Sequence, residues 1–149
     1  MIIIKLEQLE NFKQKNMTNK SKTQLRSNFN SKKQKGLNDF TNFEEFSRWY
    51  DKALKKCSYC GIEEEVLQEL IVTGKLTSKR FPINGIPQRG KSRGLCLEID
   101  RIDPNKNYSL DNITLCCYFC NNDKSDVFTG KDYKDFFQNR AEYLKNLLK

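Results

Sequence analysis

Two Cys-x-x-Cys pairs constrain this chain more than any other feature of its 149 residues. The first pair is Cys57 and Cys60, and the second is Cys117 and Cys120. A two-residue spacer lets both thiolates of a pair converge on one ion, and two such pairs supply the four tetrahedral ligands of structural zinc. We therefore predict a structural Zn²⁺ that ties together two distant parts of the chain, which suits a small domain with a modest core.

Disulfides and a redox-active Cys-x-x-Cys pair are the alternatives for these cysteines. The apolar residues 2–4 are too few for a signal peptide and are soon followed by acids, and no apolar run approaches the length of a membrane span. We therefore expect an intracellular, cytoplasmic protein in a bacterial or viral setting, with its cysteines reduced or bound to metal. The remaining two cysteines, Cys96 and Cys116, are predicted to be small buried residues.

The net charge of +8 is concentrated near the beginning of the chain. Residues 11–38 hold eight basic side chains and no acid, in a segment rich in Lys, Asn, Ser and Gln. Because such a segment has few apolar residues to bury, we predict a disordered basic arm over residues 1–38 and one domain over residues 39–149. The arm either adds affinity for nucleic acid by contacting phosphates or only keeps the protein soluble.

The remaining sequence predicts an α+β domain with flanking helices. Its predicted elements are helices over residues 40–54 and 63–74, a strand over 95–102, a turn, a strand over 112–116, a short helix over 121–128 and a C-terminal helix over 131–149. Thr41 is the expected N-cap of the first helix. The apolar face of that helix is expected to lie in the core and consists of Phe43, Phe46, Trp49, Tyr50 and Leu54.

A basic segment over residues 75–94 separates the second helix from the first strand. It holds six basic residues and no acid, together with several Gly and Pro residues. A loop of this length in a small domain is usually functional or disordered. We predict that it contacts DNA through Arg89, Lys91 and Arg93, the alternative being a solvated insertion.

An ordered set of polar residues lies within the strand, turn, strand and helix. Asp100 is near the end of the first strand, Asn112 follows the turn in "LDN", and Asn121 opens the helix in "CNNDKSD". Enclosed by the two cysteine pairs, this set resembles the HNH endonuclease family, in the branch whose fold is clasped by zinc knuckles. The spacing from Asn112 to Asn121, followed by Lys-Ser-Asp, is similar to that in the HNH domain of RNA-guided CRISPR nucleases. The resemblance covers roughly residues 57–126 and implies a ββα-metal core.

The resemblance also implies a metal-dependent endonuclease that hydrolyses the phosphodiester bonds of double-stranded DNA. Asp100 and Asn121 would bind a catalytic Mg²⁺ or Mn²⁺, since these ions favour hard oxygen ligands. Asn112 would brace the loop that presents the general base, and Lys124 could hold a phosphate. The alternatives are turn capping for Asp100 and Asn112 and a solvated helix face for Lys124.

Arg101 departs from the family pattern, in which a histidine at this position is the general base; this chain contains no histidine. An arginine, with a pKa above about 12, cannot accept a proton at neutral pH. The metal, or one of the residues Glu98, Asp103 and Tyr108, could activate water while Arg101 stabilises the phosphate in the transition state. Alternatively, the protein is a non-catalytic DNA-binding zinc module, or Arg101 points outward and pairs with an acid.

Overall fold

A computed structural model of the protein describes residues 7, 10, 20–83, 85–137 and 140–149. Its elements are α1 (Lys22–Gln34), α2 (Phe43–Lys52), α3 (Glu64–Val72), β1 (Glu98–Arg101), β2 (Ile113–Cys116), α4 (Tyr118–Lys124), α5 (Gly130–Phe136) and α6 (Arg140–Asn146). This mixture of helices with one small sheet confirms the predicted α+β class. Among the residues described, no helix is long and apolar enough to cross a bilayer.

β1 and β2 form an antiparallel pair that leads directly into α4. The register pairs Asp100 with Thr114 and Arg101 with Ile113. Helix α4 begins just after β2 and packs against β1. The predicted order of strand, turn, strand and helix is therefore confirmed, and these three elements form the ββα unit that carries the candidate site.

Local hydrogen bonds place some element boundaries differently from the predictions. β1 begins only at Glu98 because Leu97 N donates to the carboxylate of Glu64, at 2.6 Å, instead of to a neighbouring strand. Helix α2 is capped by the side chain of Asn42, so the predicted cap at Thr41 is wrong. The predicted C-terminal helix is divided into α5 and α6, which bury Tyr133 and Leu144 respectively.

Helix α1 lies within the segment predicted to be a disordered arm, and that prediction is wrong for residues 22–34. The helix buries Leu25, which is 1% exposed, and Phe29 in the same core as α2. Phe29 meets Phe43 of α2 edge to face, with ring centroids 5.8 Å apart. Two apolar residues four positions apart can fix a helix when a neighbouring aromatic face is present to bury them. The rest of the predicted arm before residue 20, apart from residues 7 and 10, lies outside the described residues.

The aromatic face of α2 is confirmed as part of the core. Phe43, Phe46 and Tyr50 are buried, and Trp49 packs against them half-buried. Leu54 is instead 76% exposed, because α2 ends at residue 52 and the chain turns away from the helical path. The expectation for Leu54 is therefore wrong, while the rest of the face is as predicted.

The basic segment over residues 75–94 holds neither helix nor strand among its described residues, and Asn84 lies outside them. Two tight turns are closed by bridges between Ile83 and Ile86 and between Gln88 and Lys91. The segment ends at Gly94, which has φ +92°; a Cβ there would lie 2.8 Å from the ring of Phe81. Only glycine fits this close approach, so the end of the segment is held against the core.

Candidate active site and zinc cluster

The four cysteines of the two pairs converge as predicted. Their sulfurs all lie within 4.8 Å of one another, and Cys60 Sγ is 3.8 Å from Cys117 Sγ. Tetrahedral zinc with Zn–S bonds of about 2.3 Å would hold its sulfurs about 3.8 Å apart. The backbone N–H of Cys120 donates to Cys117 Sγ at 3.3 Å, as expected for a knuckle that stabilises thiolate charge. The donor set therefore fits a structural zinc that joins the α2–α3 connection to the start of α4.

The other two cysteines lie outside this cluster. Cys116 is fully buried, as predicted, and burial raises the pKa of its thiol. Cys96 is half-buried rather than buried and lines an open cleft described below, and burial raises the pKa of its thiol to about 11. Both thiols therefore stay protonated at neutral pH, and neither belongs to the metal-ligand set.

Asp100 is held within the ββα unit by two side chains, one from the first cysteine pair and one from α4. Tyr59 Oη donates to Asp100 Oδ2 at 2.6 Å, and Lys124 Nζ lies 3.1 Å from the same oxygen. Burial, with the hydrogen bond to Asp100, raises the pKa of Tyr59, so its hydroxyl stays protonated and donates. Because Tyr59 lies between Cys57 and Cys60, the first knuckle carries a residue that reaches the candidate site.

Lys124 was predicted to hold a phosphate, with a solvated helix face as the alternative. The structure buries it completely, pairs it with Asp100, and directs its Nζ to the backbone carbonyl of Arg101 at 2.8 Å. A buried lysine is stable only when it is paired and hydrogen-bonded, and both conditions are met here. Lys124 is therefore a partner of Asp100 rather than a DNA contact, and both readings from sequence are corrected.

Asn121 contacts Glu98, which lies two residues before Asp100 on the side of β1 that faces α4. Its Nδ2 donates to Glu98 Oε2, which leaves Asn121 Oδ1 as the acceptor end of the amide. Arg93 donates two hydrogen bonds to the same carboxylate, from Nε to Oε1 at 2.9 Å and from Nη2 to Oε2 at 2.7 Å. Its guanidinium lies over the ring of Tyr118. Arg93, predicted to contact DNA, is therefore already paired with an acid, and the hydrogen bonds to Glu98 raise its pKa.

Asn112 braces the turn between β1 and β2. Its Oδ1 accepts from Asp103 N at 2.8 Å, and its Nδ2 donates to the carbonyls of Asp103 and Asn107 at 3.1 and 2.9 Å. All three bonds join the side chain to backbone atoms of the turn. These hydrogen bonds match the brace implied by the resemblance. They match equally well the alternative in which Asn112 only caps the turn.

Arg101 lies over the outer side of this turn. Its Nη1 donates to the carbonyl of Lys106 at 3.2 Å, and its Cζ is 5.2 Å from the ring centroid of Tyr108. Among the described residues it forms no ion pair with a carboxylate, so the reading in which Arg101 pairs with an acid is not supported. The guanidinium thus keeps donors available for a ligand.

A cleft of about 330 Å³ lies between α1 and the ββα unit. Its lining includes Glu98 and Asn121 of the ββα unit, Asn28 and Lys32 of α1, and Tyr108 of the turn between the strands. Arg89 and Lys91, predicted to contact DNA, lie on the turn at residues 88–91 and do not line this cleft.

Sequence reasoning missed two residues that shape this region. The motif "CSYC" places Tyr59 inside a knuckle, but nothing in the motif indicates that its hydroxyl reaches Asp100. For Lys32, the available signal was the spacing of Leu25 and Phe29, which indicates one turn of an amphipathic helix within the basic arm.

Comparison with known proteins agrees with this arrangement at the level of fold. No family model and no curated protein sequence matches the chain. One similar solved structure is that of PacI, a rare-cutting HNH restriction endonuclease described as perturbing DNA. The match has a TM-score of 0.58 and 23% sequence identity, covering 85% of this chain and 78% of PacI. The chain has the HNH endonuclease fold. The predicted resemblance is thereby confirmed in structure, and β1, β2 and α4 are the ββα-metal unit of that HNH fold.

Proposed function

We propose that this protein is an HNH-type, metal-dependent endonuclease that hydrolyses phosphodiester bonds of double-stranded DNA inside the cell. The observation that carries the proposal is the placement of Asp100 on β1 against α4, which presents Asn121, within an HNH fold clasped by four cysteines. An acid on the first strand and an amide on the following helix are the two positions from which this fold would hold a catalytic ion.

Asp100 and Asn121 are the residues we assign to a catalytic Mg²⁺ or Mn²⁺. Both contacts of Asp100 described above are made by Oδ2, so its Oδ1 is retained for a hard cation. Asn121 donates to Glu98 through Nδ2, so its amide oxygen is likewise retained. Bound there, the ion would stabilise negative charge on the scissile phosphate and the leaving oxygen. Lys124 and Tyr59 hold the Asp100 carboxylate in position, and Asn112 braces the adjoining turn.

Glu98 is the residue we propose as the base that replaces the missing histidine. Asp103 is not among the residues that line the cleft, and its Oδ1 accepts from Asn105 N at 3.0 Å within its own turn. Burial raises the pKa of Tyr108, which makes its hydroxyl a donor rather than an acceptor of protons at neutral pH. The carboxylate of Glu98 lies in the cleft beside Asn121, and a base must be within reach of the attacking water. Arg101 would contact the phosphate.

Plasmid nicking by the zinc-loaded protein in Mg²⁺ or Mn²⁺ tests this function. Asp100→Asn retains an acceptor for Tyr59 and removes the charge, and Asn121→Ala removes the amide. Matched controls are Asp126→Asn and Asn122→Ala, since both parent residues are exposed. We expect at least a hundredfold loss of rate in the site variants, an amount typical of removing electrostatic stabilisation of a transition state, and little change in the controls. Equal cutting by all four variants would reject the catalytic assignment.

A non-catalytic DNA-binding zinc module is the second candidate, favoured by the pairing of Lys124 with Asp100 and by arginine at the histidine position. It predicts salt-sensitive DNA binding without any product, whichever divalent ion is supplied. The parent protein distinguishes the two candidates in one assay, because only an endonuclease converts supercoiled plasmid to nicked or linear forms. In both cases Arg89 and Lys91, on the turn at residues 88–91, are proposed to contribute to DNA affinity.

A further inference from the structure

Helix α1 is positioned as a wall of the cleft rather than as a free arm. Leu25 and Phe29 bury one face of the helix in the core, and Asn28 and Lys32, four positions apart, lie along the cleft. The chain after α1 is fixed to the turn of the ββα unit, because Tyr108 N donates to Leu37 O at 2.8 Å.

Further contacts fix this connection. Asp39 N donates to Tyr108 O at 2.9 Å, and Asn38 Nδ2 donates to Phe29 O at 3.2 Å. These bonds tie the end of α1 to both the helix itself and the ββα unit. The position of α1 beside the candidate site is therefore part of the fold.

Two cations share one aromatic ring at this wall. Lys32 Nζ lies 4.5 Å from the ring centroid of Tyr108, and Arg101 Cζ lies 5.2 Å from the same centroid. Cation–π attraction holds each of them there without neutralising its charge. Among the residues that the structure describes, neither cation forms an ion pair with a carboxylate.

The surroundings of Lys32 leave its charge uncompensated. Burial, and then the charges of Lys35, Lys20 and Arg101, lower its pKa, and only Glu98 acts in the opposite direction. Glu98 also pairs with Arg93, at 2.7 Å, and forms no ion pair with Lys32. A partly desolvated group of like charges is stabilised by an anion, which would relieve the mutual repulsion of the cations.

We propose that Lys32 and Arg101, placed on the ring of Tyr108, form a phosphate-binding site for the backbone of the DNA strand that enters the cleft. This assignment rests on the proposed function for the choice of DNA as ligand, and it adds α1 to the substrate-binding surface. Lys32 and Tyr108 line the same cleft as Glu98 and Asn121, and Arg101 lies against the same Tyr108 ring. A phosphate bound by the two cations would therefore set the path of the strand past the candidate catalytic residues. DNA binds through such contacts in a salt-dependent manner.

The test measures binding without cleavage, with the zinc-loaded full chain, a fluorescent DNA duplex and no added Mg²⁺ or Mn²⁺. Lys32→Ala removes the proposed contact, Lys32→Arg keeps the charge, and Lys33→Ala removes the same charge from an exposed neighbour on the same helix. We expect Lys32→Ala to raise Kd about tenfold and to reduce the slope of log K against log salt by about 0.9. Lys32→Arg should restore most of the affinity, and Lys33→Ala should change Kd less than about twofold.

Two results would contradict the proposed phosphate site. Equal effects of Lys32→Ala and Lys33→Ala would overturn the site, since a general loss of charge would then explain both. A dependence on Lys32 for an RNA duplex of the same sequence, but not for DNA, would overturn the choice of ligand. A protein that binds through Lys32 yet never nicks plasmid would reject the proposed hydrolysis and leave this site standing, so the two failures are distinguishable.

Discussion

Lys124 Nζ lies 3.1 Å from Asp100 Oδ2, in an ion pair whose side chains are 0% and 9% exposed. The pair joins α4 to β1 within the ββα unit and places the amine of Lys124 beside the acid of the candidate site. Because both groups are removed from water, losing either partner would leave the other as an unpaired buried charge, which strongly destabilises the fold. The lysine that joins these two elements therefore also positions the proposed metal ligand.

Replacing Lys124 with methionine should destabilise the protein strongly, by about 3–5 kcal/mol, because it leaves the charge of Asp100 buried beside Tyr59 alone. Urea unfolding of the zinc-loaded protein measures the loss. Lys75→Met is the control, since Lys75 is exposed, and it should change the free energy of unfolding by less than about 0.5 kcal/mol. A similar small change in both variants would contradict the structural role given to the pair.

Glu64 should make stability fall between pH 4.5 and pH 7. This carboxyl group is 1% exposed, and burial raises its pKa from the ordinary 4.5 to about 7, although Leu97 N donates to it. The folded protein therefore retains the proton at a pH where the unfolded chain has lost it. The stability from the neutral group is complete below pH 4.5 and is lost as the pH rises through 7.

The variant Glu64→Gln, which cannot ionise, isolates this effect. Relative to the parent it should gain about 3 kcal/mol at pH 8, and less than about 1 kcal/mol at pH 5, in zinc-saturated urea unfolding. Glu65→Gln alters an exposed neighbour and should show no such dependence on pH. A constant difference between Glu64→Gln and parent across this range would show that the carboxyl group does not titrate on burial.

Removal of zinc should unfold the region that joins the two knuckles. We expect about one zinc per chain in the parent, loss of zinc in Cys60→Ser, and retention in Cys96→Ser, whose sulfur lies outside the cluster. The free energy of zinc binding by a site of this kind is also folding energy, so chelation should reduce helical circular dichroism and restore it when zinc is returned. Zinc retained at full level in Cys60→Ser would contradict the four-cysteine assignment.

Loss of the Asn112 side chain should loosen the turn between the strands. Asn112→Ala removes the acceptor of Asp103 N and two donated bonds, so we expect a loss of about 2 kcal/mol and faster exchange of the Asp103 amide hydrogen. Hydrogen exchange followed by nuclear magnetic resonance measures this directly. Asn105→Ala, at an exposed position of the same turn, should leave that amide protected.

The four-cysteine cluster and the order of the ββα elements could be predicted because their signals are local. The spacing within each Cys-x-x-Cys pair determines how its two sulfurs are presented, and alternation along β1 and β2 identifies the strands. For Asn112 the resemblance implied a brace, and its hydrogen-bond partners Asp103 and Asn107 are indeed near it in sequence. Such features need little knowledge of what packs against them.

The errors arose where the outcome depended on a distant partner. Residues 22–34 lack the apolar content to fold alone, and they are helical because the aromatic face of α2 buries Leu25 and Phe29. Leu54 was predicted to lie on the buried face of α2, but it is exposed because the helix ends at Lys52.

By itself, the sequence predicted the cluster of four cysteines and the succession of strand, turn, strand and helix, and its resemblance to the HNH family indicated the acid and amides of the candidate site. Tertiary structure alone decided that Lys124 is buried against Asp100, that Tyr59 reaches that acid from the first knuckle, and that α1 forms a wall of the cleft. The physical reason is that ligand spacing and strand alternation are short-range properties of a chain. The state of a charged side chain depends instead on which distant groups replace its water.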